Sequence, residues 1–121
     1  MERSLEACVL ERELSFAKIK LQICPLGDDL HLILSGGDKP HIGCTVLACP
    51  RPSLKKDGSM SATSSVLNVI GHKDEEICRK LAEYYSAKYN CVVVCSGGFH
   101  VDDIKPEMIA ELFAALEQLK V

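Results

Sequence analysis

Aromatic side chains are scarce in this sequence, at 5% with no tryptophan. That argues against the stacking platforms on which proteins hold single-stranded nucleic acid. There is no surplus of positive charge either. Lys and Arg number 14 against 17 Asp and Glu, a formal net charge of -3, so the basic surface that duplex binding needs is missing. No apolar run approaches the roughly 20 residues of a membrane-spanning helix. The opening residues lead directly to Glu6, Glu11 and Glu13, a pattern foreign to a secretory leader. The seven cysteines form no CxxC pair, and the spacings Cys44/Cys49 and Cys91/Cys95 do not suit a structural zinc site. With no secretion signal they read as reduced thiols in a cytoplasm. A GxSxG elbow is absent, which removes the usual setting of a nucleophilic serine.

What is present is an ordinary globular composition. The 121 residues are 47% hydrophobic and 26% charged, which fits a single domain over 1–121. Residues 1–12 read as either a short edge strand or an extended arm. Ile19, Leu21 and Ile23 alternate with Lys18, Lys20 and Gln22, as in a half-buried strand. The turn Pro25-Leu26-Gly27-Asp28-Asp29 separates it from Leu30, Leu32 and Leu34, so a hairpin is expected. His31 falls on that hairpin's other face, where a structural role is expected. A third strand is expected from His41 to Cys49, with Ile42, Cys44, Val46 and Ala48 on one face and Pro50–Ser53 ending it. After a polar loop, a fourth runs from about Ser61 to Ile70.

A helix follows from about Lys73 to Lys88, with Ile77, Leu81, Tyr84 and Tyr85 on one stripe and Asn90 as its stop. Cys91–Cys95 is apolar at every position, the pattern of a central strand buried on both faces. Pro106 opens a last helix, whose stripe is Ile109, Leu112, Phe113 and Leu116. The fold class is therefore α+β: a mostly antiparallel sheet of five to six strands flanked by two helices. Two helices cover one face of such a sheet. A second copy of the chain is the expected cover for the other, making a homodimer.

Three glycine-bounded turns carry histidines: Gly36–Gly43 with His41, Gly71-His72-Lys73, and Gly97–Asp103 with His100. At the second, a strand gives way to a helix. There a glycine permits close backbone approach, and unpaired helix N–H groups with Lys73 attract an anion. Asp74, Glu75 and Glu76 leave the alternative of a well-made helix start. Arg51 and Ser53, with Thr63, Ser64 and Ser65, are donors of the kind that bind phosphate. They equally suit a polar loop bonding to itself. The histidines with Asp38, Asp74 and Asp102 are ligand types for a divalent metal or a general-base pair, without HxH or HxxxH spacing.

The order Gly36-Gly37-Asp38-Lys39-Pro40-His41-Ile42-Gly43, Arg51-Pro52-Ser53-Leu54, Gly71-His72-Lys73-Asp74 and Gly98-Phe99-His100-Val101-Asp102 resembles the small accessory proteins of gallate-type, UbiD-class decarboxylases. These are the prenylated-flavin chaperones. The resemblance spans about residues 14–120. It implies a proteasome-assembly-chaperone-like fold, paired as a dimer. It also implies a protein that is no enzyme but binds prenylated FMN, or FMN, and protects it or delivers it to a UbiD-class aromatic-acid decarboxylase. A flavin prenyltransferase is a further implied partner. By position, Arg51, Lys73 and the turn at Gly71 would hold the phosphate, with Ser53 and Ser64 as further donors. His41, His72 and His100 would line the ring or phosphate side, and Phe99 and Tyr84 are the rings available to stack. Two alternatives stay open: a metal-dependent cofactor maturase using the loop histidines, and a protein-interaction module without ligand.

Overall fold

The computed structural model describes residues 5–69 and 74–121. The turn Gly71-His72-Lys73, and the expected strand end at Ile70, lie outside the described residues. Six strands form one sheet: β1 (Cys8–Glu13), β2 (Lys18–Leu26), β3 (Asp29–Gly37), β4 (Cys44–Pro52), β5 (Met60–Asn68) and β6 (Val93–His100). Their order across the sheet is β1-β2-β3-β6-β4-β5. Helix α1 (Glu75–Tyr89) links β5 to β6, and α2 (Pro106–Gln118) follows β6. The fold is α+β, with a mixed but mostly antiparallel sheet.

The alternation in the sequence builds the core directly. Leu21 faces Leu34 and Ile23 faces Leu32 across β2 and β3, and all four are fully buried. Val46 faces Cys95 across β4 and β6, on the same side. Ile77, Cys78, Leu81 and Tyr85 of α1 and Leu112, Ala115 and Leu116 of α2 close over these residues. Helix α1 ends where Asn90 takes the left-handed conformation, as its helix-stopping role requires. The first strand settles the ambiguity at the N-terminus: β1 is an edge strand, antiparallel to β2.

Three sequence expectations are corrected. Cys91–Cys95 is not a short strand in itself. Strand β6 runs on through Ser96, Gly97 and Gly98 to His100 and pairs parallel with β3 along its whole length. It is central, but both helices lie on one side. Ile33, Leu47 and Val92 are 37%, 44% and 37% exposed, so within one chain the other face of the sheet is open.

The expected third strand starts late and ends late. His41–Gly43 precede β4, Ile42 is 68% exposed, and β4 continues through Pro50 and Pro52. Those prolines are tolerated because β6 pairs with β4 only from Cys44 to Ala48. Beyond that point β4 has one neighbour, and a missing N–H on the free side costs no ladder bond.

Candidate functional site

The carboxyl end of β6, the loop before β4, the start of α1 and the first turns of α2 enclose a cavity of about 370 Å³. That size suits a small-molecule pocket. Its polar rim is His41, Asp74, Glu76 and His100, and its wall is Ile77, Phe99, Ile104, Ile109, Leu112 and Phe113. Two of the three histidine turns thus converge, as their placement at strand ends suggested. His41 and His100 have ring centroids 6.3 Å apart at an interplanar angle of 80°.

Asp74 holds the site together. It occupies the N-cap position of α1, yet its side chain makes no cap bond to its own helix. Instead Oδ1 accepts the Phe99 backbone N–H at 2.8 Å, and Oδ2 meets His41 Nε2 at 3.0 Å. One carboxylate therefore ties α1, β6 and the β3–β4 loop to one another, and it is 96% buried by virtue of a 4% exposure. His41 Nδ1 faces the Lys39 carbonyl at 2.8 Å. A carbonyl and a carboxylate only accept, so both ring nitrogens donate and His41 is an imidazolium. Its pKa is accordingly raised, first by the bond to the Lys39 carbonyl, against an opposing effect of burial, and then by Asp74.

Glycine makes this close packing feasible. A Cβ on Gly98 would lie 2.7 Å from both Asp74 Oδ2 and His41 Nε2. One on Gly43 would collide with the same carboxylate oxygen. The glycines of these two segments are the floor on which the ion pair sits.

His100 is different in kind. It is half-exposed, and its Nε2 bonds Asp102 Oδ1 at 2.9 Å. Asp102 is held below the usual carboxylate range by that bond first and by the charge of Lys39 second. Phe99 is buried and set edge to face against Phe16, with centroids 6.2 Å apart.

The remaining expected residues lie elsewhere. Arg51 and Ser53 are at the far end of β4. Seven residues of strand separate Cys44 from Arg51, roughly 23 Å at about 3.3 Å each. Arg51 Nε donates to Thr63 Oγ1 at 2.8 Å, and Ser53 Oγ accepts the Lys55 N–H at 3.2 Å. Ser64 faces α1, where it donates to Glu83 at 2.5 Å and accepts from Arg79 at 3.2 Å. The structure therefore does not bring Arg51, Ser53 and Ser64 to the cavity. Tyr84 packs at the other end of α1 against Tyr85, away from Phe99. Gly71, His72 and Lys73 immediately precede Asp74 in the chain but lie outside the described residues.

Of the apolar wall, only Phe99 was expected at a site, while Ile77, Ile109, Leu112 and Phe113 read as helix core stripes. Ile109 belongs to the expected core stripe of α2, yet it is 39% exposed at the cavity. The one available signal was Asp74 itself, an acid fully conventional at a helix start and here turned inward. Among the described residues no group of three or more His, Cys, Asp or Glu is arranged to hold a metal. No described helix is long and apolar enough to cross a membrane.

Residues 14–121 match the family described as the prenylated flavin chaperone LpdD-like domain. The chain belongs to that family. The fold is similar to a chain in the crystal structure of a chaperone complex for yeast 20S proteasome assembly, with a TM-score of 0.53 and 15% identity. The likeness covers 95% of this chain and 93% of that one, and at this identity it speaks for the fold alone. No curated protein matches.

Proposed function

We propose that this chain binds prenylated FMN in the cavity between α1, α2 and the end of β6. In the cytoplasm it protects the cofactor or delivers it to a UbiD-class aromatic-acid decarboxylase, after a flavin prenyltransferase has made it. The observation that carries the reading is membership of a prenylated flavin chaperone family across 14–121, joined to a cavity whose chemistry suits a flavin. Phe99, Phe113, Ile77, Ile104, Ile109 and Leu112 offer an apolar wall to a flat ring system. His41 and His100 offer polar contacts on one rim. When bound, the flavin supplies its own redox chemistry, and the residues present bind, orient and shield it.

An accessory role is favoured over catalysis by His41, whose two ring nitrogens are both engaged. While protonated it has no lone pair to accept a proton or to ligate a metal. The cavity's described lining holds Asp74 and Glu76 but no lysine or arginine. We therefore propose that the phosphate is held by Gly71-His72-Lys73, which precede Asp74 in the sequence, with Lys73 supplying the charge.

A second copy is proposed over the open sheet face. Leu47 and Val94 are paired neighbours there, with Ile33 and Leu67 exposed on the same side. Light scattering should give the mass of a dimer, and Leu47→Glu should give a monomer.

The decisive experiment is anaerobic co-expression with a flavin prenyltransferase, followed by purification and absorbance spectroscopy. A flavin band at near-stoichiometric occupancy is expected. A colourless protein that also fails to bind added FMN would leave the interaction-module reading in its place.

A further inference from the structure

The two histidines of the cavity have opposite hydrogen-bonding capacities. His41 is clamped between two acceptors and donates at both nitrogens. His100 has one nitrogen committed, Nε2 to the Asp102 carboxylate. Its Nδ1 makes no hydrogen bond to any described residue. A carboxylate at Nε2 selects the tautomer with the proton on that nitrogen, which leaves the lone pair on Nδ1. The ring lies on the cavity rim and is half-exposed, so this lone pair is available to a ligand. The other polar side chains on the rim are not equivalent. Asp74 is buried with both oxygens engaged, and Glu76 is exposed at the start of α1.

We propose that His100, oriented by Asp102, is the specificity-determining acceptor of the cavity and takes a hydrogen bond from the imide N–H of the bound flavin. This rests on the flavin reading above and deepens it by naming the ligand edge that is recognised. The oxidised isoalloxazine has one N–H, flanked by two carbonyls. A neutral imidazole nitrogen is a suitable acceptor for so acidic a donor. The neighbouring His41, held as an imidazolium beside it, is a donor-only group of the kind that suits a carbonyl. Asp102 is a positioning residue: it touches His100 and acts through the ring's tautomer and orientation. A site built to accept an N–H discriminates strongly against an analogue that lacks it, because the acceptor is left unpaired.

The test compares riboflavin with riboflavin methylated at the imide nitrogen, by isothermal titration against the full chain. Wild type should prefer the unmethylated ligand by about tenfold or more, the worth of roughly one hydrogen bond at 1.4 kcal/mol per decade. His100→Leu should bring the ratio close to one by weakening the unmethylated ligand. Asp102→Ala should lower the ratio without abolishing binding, a result that a purely structural role for Asp102 would not produce. His100→Gln, which keeps a side-chain oxygen as acceptor, should restore part of the preference. Far-UV circular dichroism confirms that each variant is folded; these half-exposed positions lie outside the core, so a folded state is expected. Equal affinity of wild type for the two ligands, or a preference that survives in His100→Leu, overturns the inference while leaving flavin binding intact. Failure of wild type to bind either ligand overturns the flavin reading and this inference together.

Discussion

Asp74 Oδ2 lies 3.0 Å from His41 Nε2, and the pair joins the start of α1 to a loop 33 residues earlier in the chain. The contact is an ion pair, since His41 Nδ1 is simultaneously committed to the Lys39 carbonyl. Its consequences reach stability as well as binding.

The raised pKa of His41 makes the fold's stability depend on pH, and the sign is set. The native state binds the His41 proton more tightly than the unfolded chain does. The stabilisation is complete below the ordinary histidine value of 6.5 and is lost as pH rises through the higher native value. Urea midpoints should therefore fall as pH rises above about 6.5, and more steeply for wild type than for His41→Gln. Parallel pH profiles for the two proteins would show that the pair contributes nothing.

Gly98→Ala should be costly in a way its small volume does not suggest. The added methyl lies 2.7 Å from both members of the pair, and separating them strands the buried Asp74 carboxylate. A loss of about 1–3 kcal/mol is expected for a buried polar group deprived of a partner. Denaturant unfolding measures it, and a histidine titration by NMR should show the His41 pKa moving back down.

Phosphate recognition separates two basic residues that the motif order groups together. Lys73→Ala should weaken FMN by roughly tenfold to a hundredfold, from a charged hydrogen bond of about 1.5–3 kcal/mol. Riboflavin, which lacks the phosphate, should bind Lys73→Ala and wild type alike. Arg51→Ala should leave both ligands unaffected, because its side chain is tied to Thr63 at the opposite end of β4. Calorimetry of two variants with two ligands checks all of this, and equal weakening of both ligands by Lys73→Ala would place the phosphate elsewhere.

The cysteines should divide by reactivity. Cys8, Cys24 and Cys49 are exposed, while Cys44, Cys78, Cys91 and Cys95 are buried. Burial, followed by contact with Cys78, pushes the Cys44 thiol up to about 12. Cys78 is raised as well, first through its bond to Cys95 and then by burial. Thiols so far from ionisation are poor nucleophiles. Titration with a disulfide reagent should show three thiols reacting readily and four only after denaturant. Fast reaction of a fourth would mean that the core opens beneath the site.

Much of the fold was legible because alternation is a local signal. Ile19, Leu21 and Ile23 announced β2, and Leu30, Leu32 and Leu34 announced β3, without reference to anything distant. The motif order added the family. What stayed hidden depended on long-range pairing. Nothing local distinguishes Ser96-Gly97-Gly98 as strand rather than turn; it is strand because β3 and β4 flank it. The extension of β4 through Pro50 and Pro52 was hidden for the same reason, since it depends on where β6 stops. In the site, His41 and His100 were visible as residues but not as a donor and an acceptor. That distinction arises only from Lys39, Asp74 and Asp102 in their folded positions.

The insertion of β6 between β3 and β4 carries a kinetic consequence. Strands β1 to β3 and the β4–β5 hairpin are two local blocks, each made of contacts between near neighbours in sequence. Neither block can join the other until residues 93–100, late in the chain, slot between them and pair with both. Such distant pairings cost loop entropy before they return contact energy, so this joining is the step expected to limit folding. The cavity is formed at the carboxyl end of that strand. A ligand pocket of this kind comes into being only when assembly is finished, so an incompletely folded chain has no place to hold a reactive cofactor.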